Sequence, residues 1–359
     1  MSLDTLPRTR ARDGLLDLLR TVSIVRVVII HALGKADFWF WPAPTYVMPG
    51  MPAVFFVSGS LAYKSLRAVD GVRRTAREYW RRTFRRLLVP YWAYYSVIVV
   101  YAVGGDLTHP GPRWDVDYGR LALGATGLIV PDASRAMRHH TGHLWFMSVF
   151  LVLAFVAPFL VRAFERARWL VLVGVLVPFV FVQWLVVDGG MDFDVELEKL
   201  TTFAVPYVVG FWYTDGALRR ASLRVLLAAM GVAVVAAWWW NGVEPGAVNG
   251  SQPKHLLVGA AWLAACLAIA PTLRTLAARH RSLIDRISRR TFTIFLWGWT
   301  TCVFAADWVD EVFPPGWPNR LMMLAGSLTL LAIVVPIFGK VEDWSARPRQ
   351  QVSASSPAR

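Results

Sequence analysis

Two absences bound this chain before any motif is read. Cysteine is nearly missing: Cys266 and Cys302 are the only two in 359 residues, and both fall inside apolar runs. That is too little for a disulfide framework, and both read as small apolar side chains. Acid is also scarce, with 24 Asp and Glu against 38 Lys and Arg, a formal net charge of +14. Nor is there a polar majority of the kind a soluble domain needs. The composition is 56% hydrophobic with a mean hydropathy of +0.44. No internal repeat is visible, and the three histidines at 139, 140 and 143 have no Cys, Asp or Glu at metal-ligand spacing.

What is present in quantity is apolar length. Stretches of roughly 17 to 20 apolar residues recur, the length a helix needs to cross about 30 Å of hydrocarbon. The pattern predicts an all-α, polytopic integral membrane protein with about ten transmembrane helices: 17–36, 46–63, 87–103, 143–161, 169–187, 200–214, 223–240, 255–273, 291–306 and 320–339. Residues 1–16 read as a cytoplasmic N-terminal segment, 17–340 as one membrane domain, and 341–359 as a disordered cytoplasmic tail. No small-residue cleavage pattern follows the first run, so it reads as an uncleaved helix. Stretch 104–142, with "YGRLALGATGLIV", is too short and Gly-rich to span and reads as interfacial or re-entrant.

Charge tests this topology and disposes of the nucleic-acid alternative. With the N-terminus inside, the cytoplasmic connections hold 28 Lys and Arg and the outer ones 7. Such alternation is the positive-inside bias of a multi-pass protein, not the single patch that nucleic acid requires. Both termini are therefore expected in the cytoplasm. The Trp- and Arg-rich composition points to a high-GC bacterial source.

The first apolar run, "DGLLDLLRTVSIVRVVIIHA", keeps Asp17, Arg20, Arg26 and His31. Each is costly in hydrocarbon, so each asks for a task. Arg20 and His31 are eleven residues apart, about 20° beyond three full turns. They share a helix face, about 16 Å apart along the axis. Asp17 lies one turn before Arg20 and pairs with it. Arg26 points about 120° away from Arg20, toward a polar cavity or an acid elsewhere. Downstream, Ser58-Gly59 in "MPAVFFVSGSLAYKS" suits close helix approach. The basic segment ending "FRRLLVPYW", with Arg85 and Arg86, suits anionic lipid or nucleotide phosphate. "HLWF" places His143 and Trp145 at an outer boundary.

In this order, Asp17-x-x-Arg20, ten residues, His31, "MPAVFFVSG", "FRRLLVPYW" and "HLWF" resemble the membrane acyltransferase 3 family, whose multi-span enzymes O-acylate glycans, lipid-linked sugars and related acceptors. The specific motifs lie in the first 150 residues. Two departures stand out: Arg26 occupies a position that is normally apolar, and Gly298-Trp299 follows Trp297 where a histidine is common. The resemblance implies acyl-CoA as donor co-substrate, with no permanently bound cofactor. It also implies a glycan, lipid-linked or small-molecule hydroxyl acceptor and a place in the cell membrane. His31 would be the general base and Arg20 the anchoring cation. Asp17 would orient Arg20, Arg85 and Arg86 would meet CoA phosphate, and Ser58, Trp145 and His143 would line the substrate site. The competing readings are a proton-coupled transporter or a non-catalytic lipid-binding relative. No inverted repeats or paired interrupted helices support the transporter.

Overall fold

The computed structural model describes residues 13–35, 43–47, 50–67, 75–109, 111–191 and 195–347. Among them are fourteen α-helices and no strand. They are α1 (Gly14–Lys35), α2 (Pro44–Val47), α3 (Met51–Leu66), α4 (Ala76–Thr108), α5 (Tyr118–Gly124), α6 (Arg135–Thr141) and α7 (Trp145–Val187). The second half has α8 (Val195–Thr214), α9 (Leu223–Val243), α10 (Gln252–Ala268), α11 (Ala270–Arg279), α12 (Arg281–Ser288), α13 (Thr291–Val312) and α14 (Trp317–Ala346).

Local chemistry sets the ends of these helices. α4 opens with a capping box, in which the Thr75 hydroxyl accepts from the Glu78 amide and the Glu78 carboxylate from the Thr75 amide. Its 33 residues span about 50 Å, so it runs well past a hydrocarbon core. α10 and α11 meet at a bend of 77°. Pro271, in the first turn of α11, has no amide hydrogen with which to continue the ladder. α7 holds two of the expected spans, 143–161 and 169–187, as two helical stretches that meet at a kink. The stretch 162–168, read as the connection between them, contains no Gly or Pro, and the helices on either side break at Ala167 (φ −149°, ψ 69°).

Among the described residues, six helices are long and apolar enough to cross a membrane, and the bent α10–α11 pair makes seven if counted as one span. The chain is a multi-pass membrane protein. This count does not confirm the expected ten. It takes the kinked α7, which covers two of the expected spans, as one helix, and leaves out α1, with Asp17, Arg20 and Arg26, and α8, with Glu196, Glu198 and Lys199. α14 also continues to Ala346, into the stretch read as a tail. It is held there by Arg290, which bonds Asp343, and by Thr293, which donates to Glu342. Residues 1–12 and 348–359 lie outside the described residues.

α1 sits at the centre, packed on α3, α11, α12, α13 and α14. α3 lies along α8, and α8 along α7. Gly59 makes the α3–α8 contact possible, since a side chain there would strike the Tyr207 carbonyl. The serine that bonds across the contact is Ser60, whose hydroxyl reaches the Gly210 carbonyl at 3.0 Å. The periphery is apolar and outward-facing: Val232, Trp238 and Trp239 on α9, Ile333 and Ile337 on α14. Such faces suit lipid rather than water.

Between α4 and α7, α5 and α6 form a short layer against α4. Asp117 caps α5 by accepting from the Arg120 amide at 3.0 Å. The carbonyls at the end of α5 are satisfied by α4: Tyr91 and Tyr95 donate to Gly124 and Leu121, and the Trp92 indole donates to Ala125. Asp132 then ties Arg120 to Arg138 at 2.7 and 3.0 Å. Neither α5 nor α6, at seven residues each, is long enough to span.

Candidate functional site

One side of α1 carries two of the residues singled out by spacing. The Arg20 guanidinium donates to the Ser288 carbonyl at 3.0 Å and to the Ser288 hydroxyl, with Asp17 3.7 Å away. That hydroxyl in turn donates to Asp17 at 3.4 Å, so cation, serine and acid form one small network. Higher on the helix, His31 meets the Trp299 ring edge-on at 4.8 Å. Ser288 ends α12 and Trp299 lies in α13, so both residues of α1 address the same neighbouring segment. This is the shared face that an eleven-residue spacing requires.

His143 is close enough to His31 for an electrostatic interaction. It is buried, and its Nε2 lies 3.0 Å from the Leu296 carbonyl. A carbonyl only accepts, so Nε2 carries the proton. Trp299 is steadied by its own indole, which donates to the His139 carbonyl at 2.9 Å. His31, His143 and Trp299 therefore come from three helical segments and meet at one end of the bundle core.

Trp145 is stacked on Phe203 at 5.3 Å, with the Lys199 ammonium 5.4 Å over its ring. Phe203 stacks in turn on Phe55, which meets Phe146, and Phe146 meets Phe295. The result is an aromatic wall beside the histidines. Ser58 is not part of it, because its hydroxyl donates to the Val54 carbonyl one turn back at 2.7 Å. Arg26 is 3% exposed and bonds the Thr45 carbonyl at 3.1 Å.

At the end of the bundle where α1 begins lies a cleft of about 650 Å³, lined by Asp13, Gly14, Lys64, Gly216, Arg219, Arg220 and Arg274. Four cations face one acid, and that acid is engaged: Tyr213 donates to Asp13 at 2.7 Å, and Arg274 reaches the Tyr213 hydroxyl at 3.3 Å. Such a surface can hold phosphate through charge-assisted hydrogen bonds.

Arg85 and Arg86 do not line this cleft. Arg85 donates to the carbonyls of Trp344 and Arg347 at 3.0 and 3.3 Å and covers the Trp344 ring. It thereby satisfies the C-terminal end of α14. Arg86 is exposed. Sequence reasoning overlooked Lys64, Arg219, Arg220 and Arg274 as a group. Their charge registered only as topology, and nothing local in the chain signals that α3, α8 and α11 end side by side. Ser288 was overlooked for the same reason. Among the described residues, no three His, Cys, Asp or Glu side chains are placed to hold a metal ion.

Comparison with known families finds one match, the model described as an acyltransferase domain (acyltransferase 3), over residues 13–339. No curated protein and no solved structure matches the chain.

Proposed function

Because the chain belongs to the acyltransferase 3 family, we propose that it moves an acyl group from acyl-CoA to a hydroxyl of a glycan, lipid-linked sugar or similar acceptor, with His31 as general base. One observation carries the reading: His31 and Arg20 face the same α12–α13 segment, with an acid and a serine fixing the arginine and an aromatic edge against the histidine.

In this reading the neutral imidazole of His31 takes the proton of the acceptor hydroxyl as its oxygen attacks the thioester carbonyl. The C–S bond then breaks, and the imidazolium returns the proton to the departing thiolate of CoA. His143 and Trp299 position the ring of His31. Arg20, held by Asp17 and Ser288, anchors the donor about 16 Å lower on the helix, a stretch suited to an extended pantetheine arm. Lys64, Arg219, Arg220 and Arg274 bind the CoA phosphates, the role first assigned to Arg85 and Arg86. Trp145 and the aromatic wall enclose the acyl group, which is acetyl or another short chain.

By the positive-inside rule the basic end of α1 is cytoplasmic, and both termini lie on that side of the cell membrane. CoA then stays in the cytoplasm, and an O-acetylated or otherwise acylated cell-envelope molecule is finished toward the outer face. The test is turnover of purified protein in nanodiscs on a panel from acetyl- to palmitoyl-CoA, with cell-envelope extract as acceptor. Free CoA release in wild type that vanishes in His31→Ala and Arg20→Ala is the expected result. Activity untouched by His31→Ala sinks the catalytic reading.

A further inference from the structure

α11 and α12 carry exposed charge that the reaction just described does not use. A bend of 77° at Ile269 turns α11 away from α10. α10 has 17 residues and rises about 26 Å, close to the hydrocarbon thickness by itself. A helix that leaves such a span at 77° runs close to the plane of the membrane surface. The depth of the two short helices is set by α1: Ala277 and Ile284 pack on Leu18, and Ser288 bonds Arg20. Both therefore lie beside the first turns of α1, at its basic, cytoplasmic end.

The inner sides of these helices are spent on α1, and their outer sides mix two kinds of residue. Leu276 and Arg279 stand one turn apart on α11, and Leu283 and Arg286 one turn apart on α12. All four are exposed, the leucines at 43% and 53%. Arg281 and Arg289 are exposed as well. Between residues 270 and 290 the chain has six arginines and one acid, Asp285, which lies 3.7 Å from Arg281. Two of the six work elsewhere: Arg274 lines the basic cleft and Arg290 bonds Asp343. Four arginines and two leucines are left facing out of the bundle.

We propose that the outer side of α11 and α12 is a docking surface for the headgroups of anionic phospholipids in the cytoplasmic leaflet. The mixture of side chains selects this partner. A water-soluble polyanion would meet the arginines and leave Leu276 and Leu283 in water. A zwitterionic lipid would cover the leucines but brings a cation with each phosphate. An anionic lipid meets both needs: leucine reaches the boundary between headgroups and acyl chains, and the guanidinium lies level with a phosphate that its fork of donors fits. The position gives the contact a consequence. α12 ends in Ser288, which bonds Arg20, and α11 supplies Arg274 to the cleft, so lipid held on the outer side steadies the segment that carries both. The surface itself does not depend on the acyltransferase reading.

The test follows amide hydrogen exchange along the full chain in nanodiscs of phosphatidylcholine, alone or with about one third phosphatidylglycerol. Binding that stabilises a segment slows its local opening and hence its exchange. Exchange over residues 270–289 is expected to be about fivefold or more slower with phosphatidylglycerol, and that of α5 unchanged. Arg279→Gln with Arg286→Gln removes two exposed charges and is expected to erase most of the difference. Arg81→Gln with Arg82→Gln removes as much exposed charge from the start of α4 and is expected to leave it intact. Equal exchange in the two lipid mixtures overturns the surface. So does a difference that survives Arg279→Gln with Arg286→Gln, one that Arg81→Gln with Arg82→Gln erases equally, or one that soluble glycerol 3-phosphate reproduces in phosphatidylcholine alone.

Discussion

Two arginines six residues apart on α1 live in different surroundings. Arg20 has an acid one turn away, a serine that bridges them, and partial exposure. Arg26 is buried and bonds the Thr45 carbonyl. A guanidinium with its counter-charge in place and an edge near water can orient a neighbour or hold a ligand's edge. One buried deep among helices holds segments of the chain together through the groups it bonds. The same residue type on the same helix thus meets an acid and a serine at one end and a carbonyl of a neighbouring segment further up. Arg20 lies near the end where a phosphate-bearing donor would enter, and Arg26 near the end where an acceptor would meet His31.

The comparison breaks most visibly at His31. Replacing it by alanine removes the proposed base and is expected to lower the rate of acyl transfer by about 10²–10⁴-fold, read as kcat in a CoA-release assay. A rise in KM with kcat unchanged would assign the histidine to binding. The next largest effect tests the donor end. Arg219→Gln with Arg220→Gln removes two of the four cleft cations and is expected to raise KM for acyl-CoA about tenfold or more with kcat little changed, since hydrogen bonds to charged groups each contribute about 1.5–3 kcal/mol.

Stability sharpens the contrast between the two arginines directly. Arg20→Met leaves Asp17 partly buried without its cation and is expected to lower unfolding stability in detergent by about 1–3 kcal/mol. Arg26→Met removes a buried guanidinium and with it the bond to the Thr45 carbonyl. It is expected to be the costlier of the pair, because the groups it bonds are left buried, whereas those of Arg20 can turn to water. Thermal unfolding of the two variants side by side decides it. An Arg26→Met protein more stable than Arg20→Met would mean that burying Arg26 costs more than its bonds return.

What the sequence made legible follows from which distances are local. Arg20 and His31 could be placed on one face because the helical period is fixed, and the face they share is the one that meets Ser288 and Trp299. Trp145 and His143 were singled out because an aromatic and a histidine together at a helix start are conspicuous. Arg26 could be flagged but not explained, since only the tertiary fold brings it against Gly50 and the Thr45 carbonyl. Ser58 was taken from the motif, yet Ser60, two residues on and about 200° around the helix, is the serine bonded to α8, while the Ser58 hydroxyl bonds its own helix. Charge placed the division between the fourth and fifth expected spans at 162–168, and the helix breaks there at Ala167, although the arginines around it stay helical.

The smallest effect is expected at Arg85, and it tests which cations at the basic end handle the donor. Arg85 spends its guanidinium on the last carbonyls of α14 and on the Trp344 ring, where it complements the negative end of that helix. Arg85→Gln keeps a donor of shorter reach and loses the charge. The cost to stability should be about 0.5 kcal/mol, and KM for acyl-CoA should change by less than about twofold, well below the response of the Arg219 and Arg220 pair. Measured in one assay, the two substitutions weigh a cation committed to protein carbonyls against cations that face an open cleft. A tenfold rise in KM from Arg85→Gln would move the phosphate site from the α3–α8–α11 cleft to the start of α4, and Arg20 would then share its donor with α4.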